Sequence, residues 1–424
     1  MNCADGTPAA MATPASLRWG ALLIAGLLAG CIGNKNPMVP GSSTAGAPTQ
    51  NVLPLTVDTG PTAVTGQINH AYVTIKVCAA GSATQCSNID HVLLDTGSSG
   101  LRLVRSVLTA GGVTLASEMD TQGQAVEECM TFGGGQTWGP VALADVTMAG
   151  EVAAKVPVQV MDDTNAGAAP PASCGANGTL INDTSGFGAN GVLGVGVFAQ
   201  DCGPACVNPA TPLPVYYGCT SAGACTPENL ALTSQVTNPV ALFAADNNGV
   251  IVNLPNLQNA NGDAAVTGEL IFGLATQTDN ALPAMGLTVL GTDANGDFTA
   301  TYNGATTVLP ALIDSGTDSY SFDDASIATC SSGKYVGYYC PATAPQSLYA
   351  INAGVGMNNA TNRVDFALAD PNSFVATAAA FIQLGGGGGS TRFTWGMPFF
   401  YGRVVYVGID QRSAGPYSGP FYAY

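Results

Sequence analysis

The feature that most constrains the fold is a short pattern that occurs twice, far apart in the chain. Residues 92–98 read VLLDTGS and residues 311–317 read ALIDSGT, and the second aspartate follows the first by 219 positions. Each copy is an apolar run of strand character that leads an aspartate, Asp95 or Asp314, into a tight glycine turn followed by a hydroxyl side chain. The repetition predicts two lobes of similar architecture, each with one aspartate turn.

The rest of the chain has the pattern of an all-β protein, because short apolar runs alternate with Gly, Asn, Asp and Pro. Examples are residues 72–77, 156–161, 192–197, 250–254, 270–274 and 404–409. Only the alanine-rich residues 373–384 suggest a helix or one long strand. The 424 residues suffice for two lobes, since a domain takes roughly 150 residues. We predict an all-β fold with a first lobe at residues 61–240 and a second at residues 241–424.

The composition excludes several classes of function. Lys and Arg total 11 against 28 Asp and Glu, so the chain lacks the cations that a nucleic-acid binder needs to neutralise phosphates. Its two histidines, His70 and His91, offer little for a metal site or a Ser-His-Asp triad. We expect no metal, no cofactor and no nucleic-acid partner, and we interpret both histidines as ordinary surface or core residues.

The N-terminal residues have the features of an export signal. The twelve apolar residues 19–30 follow Arg18 and match the hydrophobic region of a signal peptide, which is too short to span a bilayer. They end in LAGC at Cys31, which resembles the bacterial lipoprotein box. We predict a signal peptide at residues 1–30, a lipid on Cys31, a flexible tether at residues 31–60, and a bacterial cell-envelope location in the outer membrane or periplasm. The alternative is an ordinary signal peptide with a chance cysteine.

The cysteine count predicts disulfides. Cys3 falls in the signal peptide and Cys31 would carry the lipid, which leaves ten of the 12 cysteines, an even number in an exported chain. Cys78 with Cys86, and Cys330 with Cys340, are close neighbours across short loops, so we predict these two bridges. The other six are left open: Cys129, Cys174, Cys202, Cys206, Cys219 and Cys225. The last four of these allow nested or sequential pairing, with a zinc site as a minority alternative.

The two turns also predict a chemistry. Glycine lets backbone amides approach the aspartate, and the hydroxyl of Ser98 or Thr317 can donate a hydrogen bond to it. If two lobes bring the turns together, the two carboxyl groups share one proton, because like charges at that distance cannot both ionise. A water held between them can then attack an amide carbonyl without a metal or a covalent nucleophile.

These residues resemble the pepsin-like aspartic proteases. Residues 95–101 (DTGSSGL) and 314–317 (DSGT) are similar to the two catalytic segments of that family, and residues 132–139 (FGGGQTWG) are similar to its flap hairpin. Further segments match in the same order: residues 191–196 and 393–396 resemble the glycine segments beneath the two active-site loops, and residues 268–273 resemble a strand that opens the second lobe. The nearest likeness is to bacterial lipoproteins of uncharacterised function that carry pepsin-like signatures.

The resemblance implies a cleft between two lobes and a role for each matching residue. Asp95 and Asp314 would be the catalytic pair, and Thr96 and Ser315 would link the lobes through their hydroxyls. The remaining supports of the pair and the flap would be Gly97, Ser98, Gly316, Thr317, Phe132, Gly133, Gly134 and Gly135. The substrate would be a peptide or exposed protein segment, and the protein, a monomer, would meet the membrane through its lipid anchor.

Three positions depart from the family. Phe132 replaces the usual flap tyrosine, Arg102 replaces the tryptophan that partners it, and Asp318 replaces a small hydroxyl residue. Arg102 would either make a cation–π contact with an aromatic face or lie solvated on a strand edge. Asp318, if it points inward, would add a third acid near the pair.

These departures support a second hypothesis, a catalytically impaired pseudoenzyme that binds peptides or envelope proteins in its cleft. A purely structural surface lipoprotein is the third, and it leaves the paired acids unexplained. A third copy of the tripeptide, residues 58–60, is followed by Pro61 and lies in the predicted tether. We interpret that copy as chance.

Overall fold

The computed structural model describes residues 51–175, 180–283, 285–356, 358–388 and 391–424. Within these ranges the chain forms 25 strands, two short α-helices and five 3-10 helices, so the all-β prediction is confirmed. No helix in the described ranges has both the length and the apolar character that a bilayer crossing needs. The predicted signal peptide, Cys31 and the tether up to residue 50 lie outside the described residues.

The first half of the described chain carries eleven strands. They are β1 (Val52–Val57), β2 (Ala71–Ala79), β3 (Cys86–Asp95), β4 (Ser99–Val104), β5 (Ala116–Ser117), β6 (Ala125–Phe132), β7 (Gly135–Met148), β8 (Glu151–Met161), β9 (Gly191–Val195), β10 (Tyr216–Cys219) and β11 (Cys225–Pro227). The α-helices also lie here, as α1 (Arg105–Ala110) and α2 (Thr184–Phe187), with 3-10 helices at Gly203–Cys206, Leu232–Ser234 and Pro239–Leu242.

The second half carries the other fourteen strands. They are β12 (Gly249–Leu254), β13 (Val266–Phe272), β14 (Val289–Gly291), β15 (Phe298–Tyr302), β16 (Leu309–Ile313), β17 (Tyr320–Ser321), β18 (Gln346–Ala353), β19 (Thr361–Leu368), β20 (Gly385–Gly386), β21 (Phe393–Trp395), β22 (Arg403–Gly408), β23 (Ser413–Ala414), β24 (Tyr417–Ser418) and β25 (Phe421–Ala423). Two further 3-10 helices are Pro371–Ser373 and Met397–Phe399.

One large sheet runs through both halves of the chain. It has 16 strands in the order β11, β10, β6, β7, β8, β4, β9, β3, β2, β1, β13, β12, β22, β25 and β14, with β5 paired to β7. A second sheet of seven strands has the order β19, β18, β15, β16, β21, β17 and β20, and β23 pairs with β24. The core lies on the inner faces of these sheets, where buried Val, Leu, Ile and aromatic side chains form one cluster that draws on both halves.

The strand β1 corrects the prediction of a tether that extends to residue 60. It pairs antiparallel with β13 from Val52 to Val57, and it also pairs with β2. Leu53, Leu55 and Val57 are buried, in the alternation expected of a strand with one face in a core. The first lobe therefore starts before residue 61. The predicted boundary between residues 240 and 241 falls inside the 3-10 helix Pro239–Leu242.

The prediction of a helix or long strand at residues 373–384 is wrong. After the 3-10 helix Pro371–Ser373 the backbone is irregular, and several of its amides bond to other loops. Ala379 and Ala380 both donate to the carbonyl oxygen of Asp263, and Phe381 donates to the side chain of Asn69. The small alanine side chains permit this close packing, and local helix propensity is overridden by these tertiary contacts.

Both aspartate turns are built in the same way. The strand β3 ends at Asp95 and pairs in parallel with β9, and the strand β16 leads directly into Asp314 and pairs in parallel with β21. Both partner strands lead into a glycine that packs against the turn. A Cβ on Gly196 would lie 2.6 Å from the Ser98 carbonyl oxygen, so no other residue fits there without a shift. The repeated pattern of the sequence therefore corresponds to a repeated local structure.

Five disulfides are present in the described residues. They include both predicted bridges, Cys78–Cys86 and Cys330–Cys340. The remaining pairs are Cys129–Cys174, Cys202–Cys206 and Cys219–Cys225. The four cysteines left open between nested and sequential pairing thus pair sequentially, and the zinc alternative is wrong because their sulfurs are bonded to one another.

Candidate active site

Asp95 and Asp314 meet across the two halves of the chain. A Cβ built on Gly97 would lie 2.5 Å from the Asp314 carboxyl carbon, and one built on Gly316 would lie 2.9 Å from the Asp95 carboxyl carbon. Each glycine turn therefore packs against the carboxyl group of the opposite turn, where a side chain would collide. A Cβ on Gly316 would also lie 3.0 Å from Asp95 Oδ1 and 3.2 Å from Asp314 Oδ1, so the two carboxyl groups face the same small space.

The first turn supplies three hydrogen bonds to Asp95. The amides of Gly97 and Ser98 donate to Oδ1 over 2.8 and 3.1 Å, and the Ser98 hydroxyl donates to Oδ2 over 2.6 Å. Hydrogen bonds donated to a carboxylate favour its ionised form. The first turn thus stabilises a negative charge on Asp95.

The second turn supplies two hydrogen bonds to Asp314. The Gly316 amide donates to Oδ1 over 2.8 Å, and the Thr317 hydroxyl donates to Oδ2 over 2.6 Å. Because Asp314 receives one donor fewer than Asp95, a single proton shared by the pair resides preferentially on Asp314.

The hydroxyls of Thr96 and Ser315 lock the turns together in a reciprocal arrangement. Thr96 Oγ1 accepts from the Ser315 amide over 3.0 Å and donates to the Ile313 carbonyl over 2.8 Å. Ser315 Oγ accepts from the Thr96 amide over 3.1 Å and donates to the Leu94 carbonyl over 2.7 Å. Both side chains are fully buried. The positions of the two aspartates are therefore fixed relative to each other by four buried hydrogen bonds.

The electrostatics agree with a shared proton. Burial raises the pKa of Asp314 from 3.8 to about 7, and the charge of Asp95 adds to the rise. Tyr422 lies beneath the pair and donates its hydroxyl to the Thr96 carbonyl over 3.0 Å. Burial and the charges of Asp314 and Asp95 raise the pKa of Tyr422 well above its ordinary value, so it remains a proton donor.

The residues assigned to the flap form the tip of a β-hairpin. Strands β6 and β7 pair up to Phe132 and Gly135, which leaves Gly133 and Gly134 as the turn. A Cβ on either turn glycine would meet no atom within 4 Å, so the tip is open on its outer side. The Phe132 ring packs edge-on against Phe187, with 5.2 Å between ring centroids.

The structure decides between the two alternatives for Arg102. Its side chain is fully buried, and its guanidinium carbon lies 5.4 Å from the centroid of the Phe132 ring. The solvated alternative is therefore wrong, and the cation–π contact is present. Asp318, the other departure, accepts a hydrogen bond from the Tyr338 hydroxyl, and its backbone carbonyl accepts one from Asn69. Its carboxylate is thus engaged by a tyrosine within its own half of the chain.

A cavity of about 610 Å³ opens directly beside the pair. Its wall includes the first aspartate turn at Gly97 and Ser98, the flap strand at Met130 and Thr131, and Leu312 of the second half. Arg102, Arg392 and Tyr422 reach it from the sides. The cavity is large enough for side chains of an extended peptide, and it is lined both by strand β6 of the hairpin and by the residues that follow Asp95.

Metal binding receives no support from the described residues. One group there, Cys330, Cys340 and Asp370, has ligand atoms close enough together for a metal ion. Its two cysteines are joined in a disulfide, which removes both thiolates as ligands.

The two histidines and the third Asp-Thr-Gly tripeptide make their contacts outside the aspartate pair. His91 contacts Asp90 over 2.8 Å and Asp58 over 3.5 Å, and His70 bonds to the carbonyl of Ile68. Asp58 also accepts from the amide of Gly60, as in an ordinary turn. None of these groups takes part in the hydrogen bonds of the aspartate pair.

The sequence analysis missed Tyr422, Glu128 and Asp201. Tyr422 belongs to a C-terminal run without a distinguishing pattern. Glu128 offered a signal, because an acid inside a flap strand is unusual in a chain with only 9% charged residues. Asp201 follows the glycine segment beneath the first turn by a few residues, and nothing in its neighbourhood indicated a buried partner.

Comparison with known proteins gives two matches. The model of the family described as "Protein of unknown function (DUF3443)" matches residues 47–424. The solved crystal structure of an aspartic proteinase from Irpex lacteus matches with 16% identity and a TM-score of 0.48, covering 88% of this chain and 96% of that one. No curated protein sequence matches the chain.

Replacing Thr96 by Val tests the lock between the turns. The substitution keeps the shape of the side chain but leaves the Ser315 amide and the Ile313 carbonyl buried without a partner. We expect the free energy of unfolding to fall by about 2–4 kcal/mol. Urea denaturation measures it, with Thr96→Ser as the control that retains the hydroxyl. Equal stability of the two variants would contradict the lock.

Replacing Asp314 by Asn tests the raised pKa. Because folding raises this pKa from 3.8 to about 7, its contribution to stability is present below about pH 4 and is lost as the pH rises through about 7. Asn at position 314 does not titrate. The free energy of unfolding of the variant minus that of the wild type should therefore rise by roughly 1–3 kcal/mol between about pH 4 and pH 7. Urea denaturation at each pH measures the difference. A difference that is flat or falls with pH would contradict the assignment.

Proposed function

Because the chain belongs to the family described as proteins of unknown function (DUF3443), we propose its function from the chemistry of the site. The protein is an aspartic endopeptidase that hydrolyses peptide bonds with a water activated between Asp95 and Asp314. One observation carries the proposal: two carboxyl groups from distant parts of the chain each pack against the glycine of the opposite turn, beside a cavity that the first strand of the hairpin lines.

The hydrogen bonds assign the two roles. Asp95, with three donors, is the ionised partner and acts as the general base that takes a proton from the water. Asp314, with two donors and a raised pKa, carries the shared proton and donates a hydrogen bond to the carbonyl oxygen of the peptide bond. The water oxygen bonds to the carbonyl carbon as Asp95 takes the water proton, which gives a tetrahedral intermediate. The C–N bond then breaks, the carbonyl re-forms, and the proton held by Asp95 passes to the nitrogen of the leaving amine.

The hairpin and the cavity supply the binding site for the substrate. An extended peptide lying between the aspartates and the flap can pair its backbone with the hairpin as an added strand. Met130, Thr131 and Leu312 line the space where side chains of that peptide would lie. This wall of mixed polar and apolar groups supports peptides or exposed protein segments as substrates.

We also propose that the protein acts in the bacterial cell envelope, anchored by a lipid on Cys31. The lipoprotein-like LAGC sequence and the five disulfides support this location, because disulfides persist in oxidising compartments.

The test of the anchor is the substitution Cys31→Ser in the full-length chain. We expect the wild type in the membrane fraction and the variant in the soluble fraction, because a lipid needs the thiol. Western blotting of the two fractions measures this. Equal partition of wild type and variant would contradict the anchor.

A pseudoenzyme that binds peptides without cleaving them is the second candidate. One observation favours it: Phe132, at the flap tip, has no hydroxyl to offer a substrate, and its ring is engaged by Arg102 and Phe187. The aspartate pair itself retains all its hydrogen bonds, so we rank the endopeptidase first.

The experiment that tests the endopeptidase is digestion of a peptide library by the purified protein between acid and neutral pH. We expect cleavage that falls roughly a thousandfold in Asp95→Asn, and that weakens as the pH rises above about 7, where Asp314 loses its proton. The matched control is Asp58→Asn, in the third Asp-Thr-Gly tripeptide, which should cleave like the wild type. Cleavage that survives Asp95→Asn would refute the proposal, and peptide binding without cleavage would establish the pseudoenzyme.

A further inference from the structure

A second cluster of buried charges lies next to the aspartate pair. Arg102, Glu128 and Asp201 have side chains that are 0%, 0% and 1% exposed. Arg102 Nη2 donates to Glu128 over 2.7 Å and to Asp201 over 2.9 Å. Taking such groups out of water is costly, and apolar residues of similar size often give equal stability. The cluster therefore needs an explanation beyond stability.

Arg102 joins three parts of the site with one guanidinium group. Its Nη1 donates over 3.0 Å to the carbonyl of Ser99, the residue that follows the Asp95 turn. Its Nη2 binds Glu128 on β6, which is the first strand of the flap hairpin. Its guanidinium carbon lies 5.4 Å from the centroid of the Phe132 ring at the flap tip. The catalytic turn, the flap strand and the flap tip are thus connected through a single side chain.

Further contacts hold the base of the hairpin in place. The strand β6 pairs on its other side with β10, where Tyr216 stands opposite Glu128. The Tyr216 hydroxyl donates to Asp201, and it accepts from the Val236 amide over 2.8 Å. A disulfide from Cys129 to Cys174 further ties this strand down. The base is therefore fixed by a sheet and a covalent bond. Near the tip, the Phe132 ring contacts Arg102 and Phe187, and the Gln136 carbonyl accepts from the Ile181 amide over 2.8 Å.

The two acids of the cluster are packed around one cation. Burial raises the pKa of Glu128, Arg102 opposes the rise, and the charge of Asp201 adds to it.

We infer that Arg102 is a positioning residue that holds the flap tip over the cleft before a substrate binds. It contacts the Phe132 ring and the Glu128 carboxyl group. Its hydrogen bond to the Ser99 carbonyl fixes both of them relative to the Asp95 turn. The inference rests on the proposed function, because it assigns the hairpin the task of covering a bound peptide. If the flap is ordered before the substrate binds, binding does not include the entropy cost of ordering it. Arg102 should therefore affect substrate binding more than the chemical step.

The test compares Arg102→Met with Arg403→Met as a matched control. Arg403 also lies over a phenylalanine ring, that of Phe399, and donates to a backbone carbonyl, but it belongs to β22. Hydrogen exchange of the full-length protein without substrate measures how well the backbone amides of the hairpin are protected. We expect amides at residues 130–137 to exchange about tenfold faster in Arg102→Met, and to be unchanged in Arg403→Met. Unchanged exchange at these amides in a folded Arg102→Met would overturn the inference.

Phe132→Leu covers the case in which Arg102→Met does not fold. It removes the ring on which Arg102 acts and leaves the buried charges intact, so it should accelerate the same amides. The effects of the two substitutions should not add, because both break one contact. Unchanged exchange in Phe132→Leu would overturn the inference.

Kinetics separate positioning from a general structural role. We expect Arg102→Met to raise KM about tenfold with kcat within about twofold, and Arg102→Lys to recover part of the loss. A fall in kcat at constant KM would overturn the assignment. Hydrogen exchange needs no substrate, so an inactive protein with an Arg102-dependent flap would refute the proposed function and leave this inference standing.

Discussion

The close approach of the Asp95 and Asp314 carboxyl groups is the constraint on which the rest of the site depends. Two acids so close together are tolerable only if one of them holds a proton. The glycines at 97 and 316 make the approach sterically feasible, and the reciprocal bonds of Thr96 and Ser315 hold the turns together. Unequal donation from the two turns then decides which acid keeps the proton. Geometry and protonation are thus set by the same few residues.

The surroundings of the pair restrict movement on one side. The flap strand β6 is paired on both edges, bonded through Cys129 to Cys174, and contacted by the buried Arg102. The guanidinium group of Arg102 donates to the buried carboxyl groups of Glu128 and Asp201, and these hydrogen bonds hold it in one orientation. The base of the flap hairpin next to the aspartate pair is therefore rigid.

Local sequence predicted what local structure determines. The turns, the hairpin at Phe132 and the short-range disulfides follow from glycine, hydroxyl and cysteine patterns within a few residues. Strand β1 was misread as a tether because Pro, Gly and Ser nearby outweighed the alternation of Leu53, Leu55 and Val57, and its partner β13 lies more than 200 residues away. The partners of Arg102 were out of reach for the same reason: Asp201 is 99 residues distant, and only the fold brings it to the guanidinium. Long-range pairing of charges leaves no periodic trace in a single sequence.

The central claim is that two acids from separate halves of the chain hold one proton between them. Carbon-13 NMR of the aspartate carboxyl groups tests it most directly, because each carboxyl carbon shifts as it loses its proton. The account predicts a resonance that titrates with an apparent pKa of about 7 and that is missing from Asp314→Asn. It would be contradicted if every aspartate of the folded wild type titrated below about pH 5, as unperturbed carboxyl groups do.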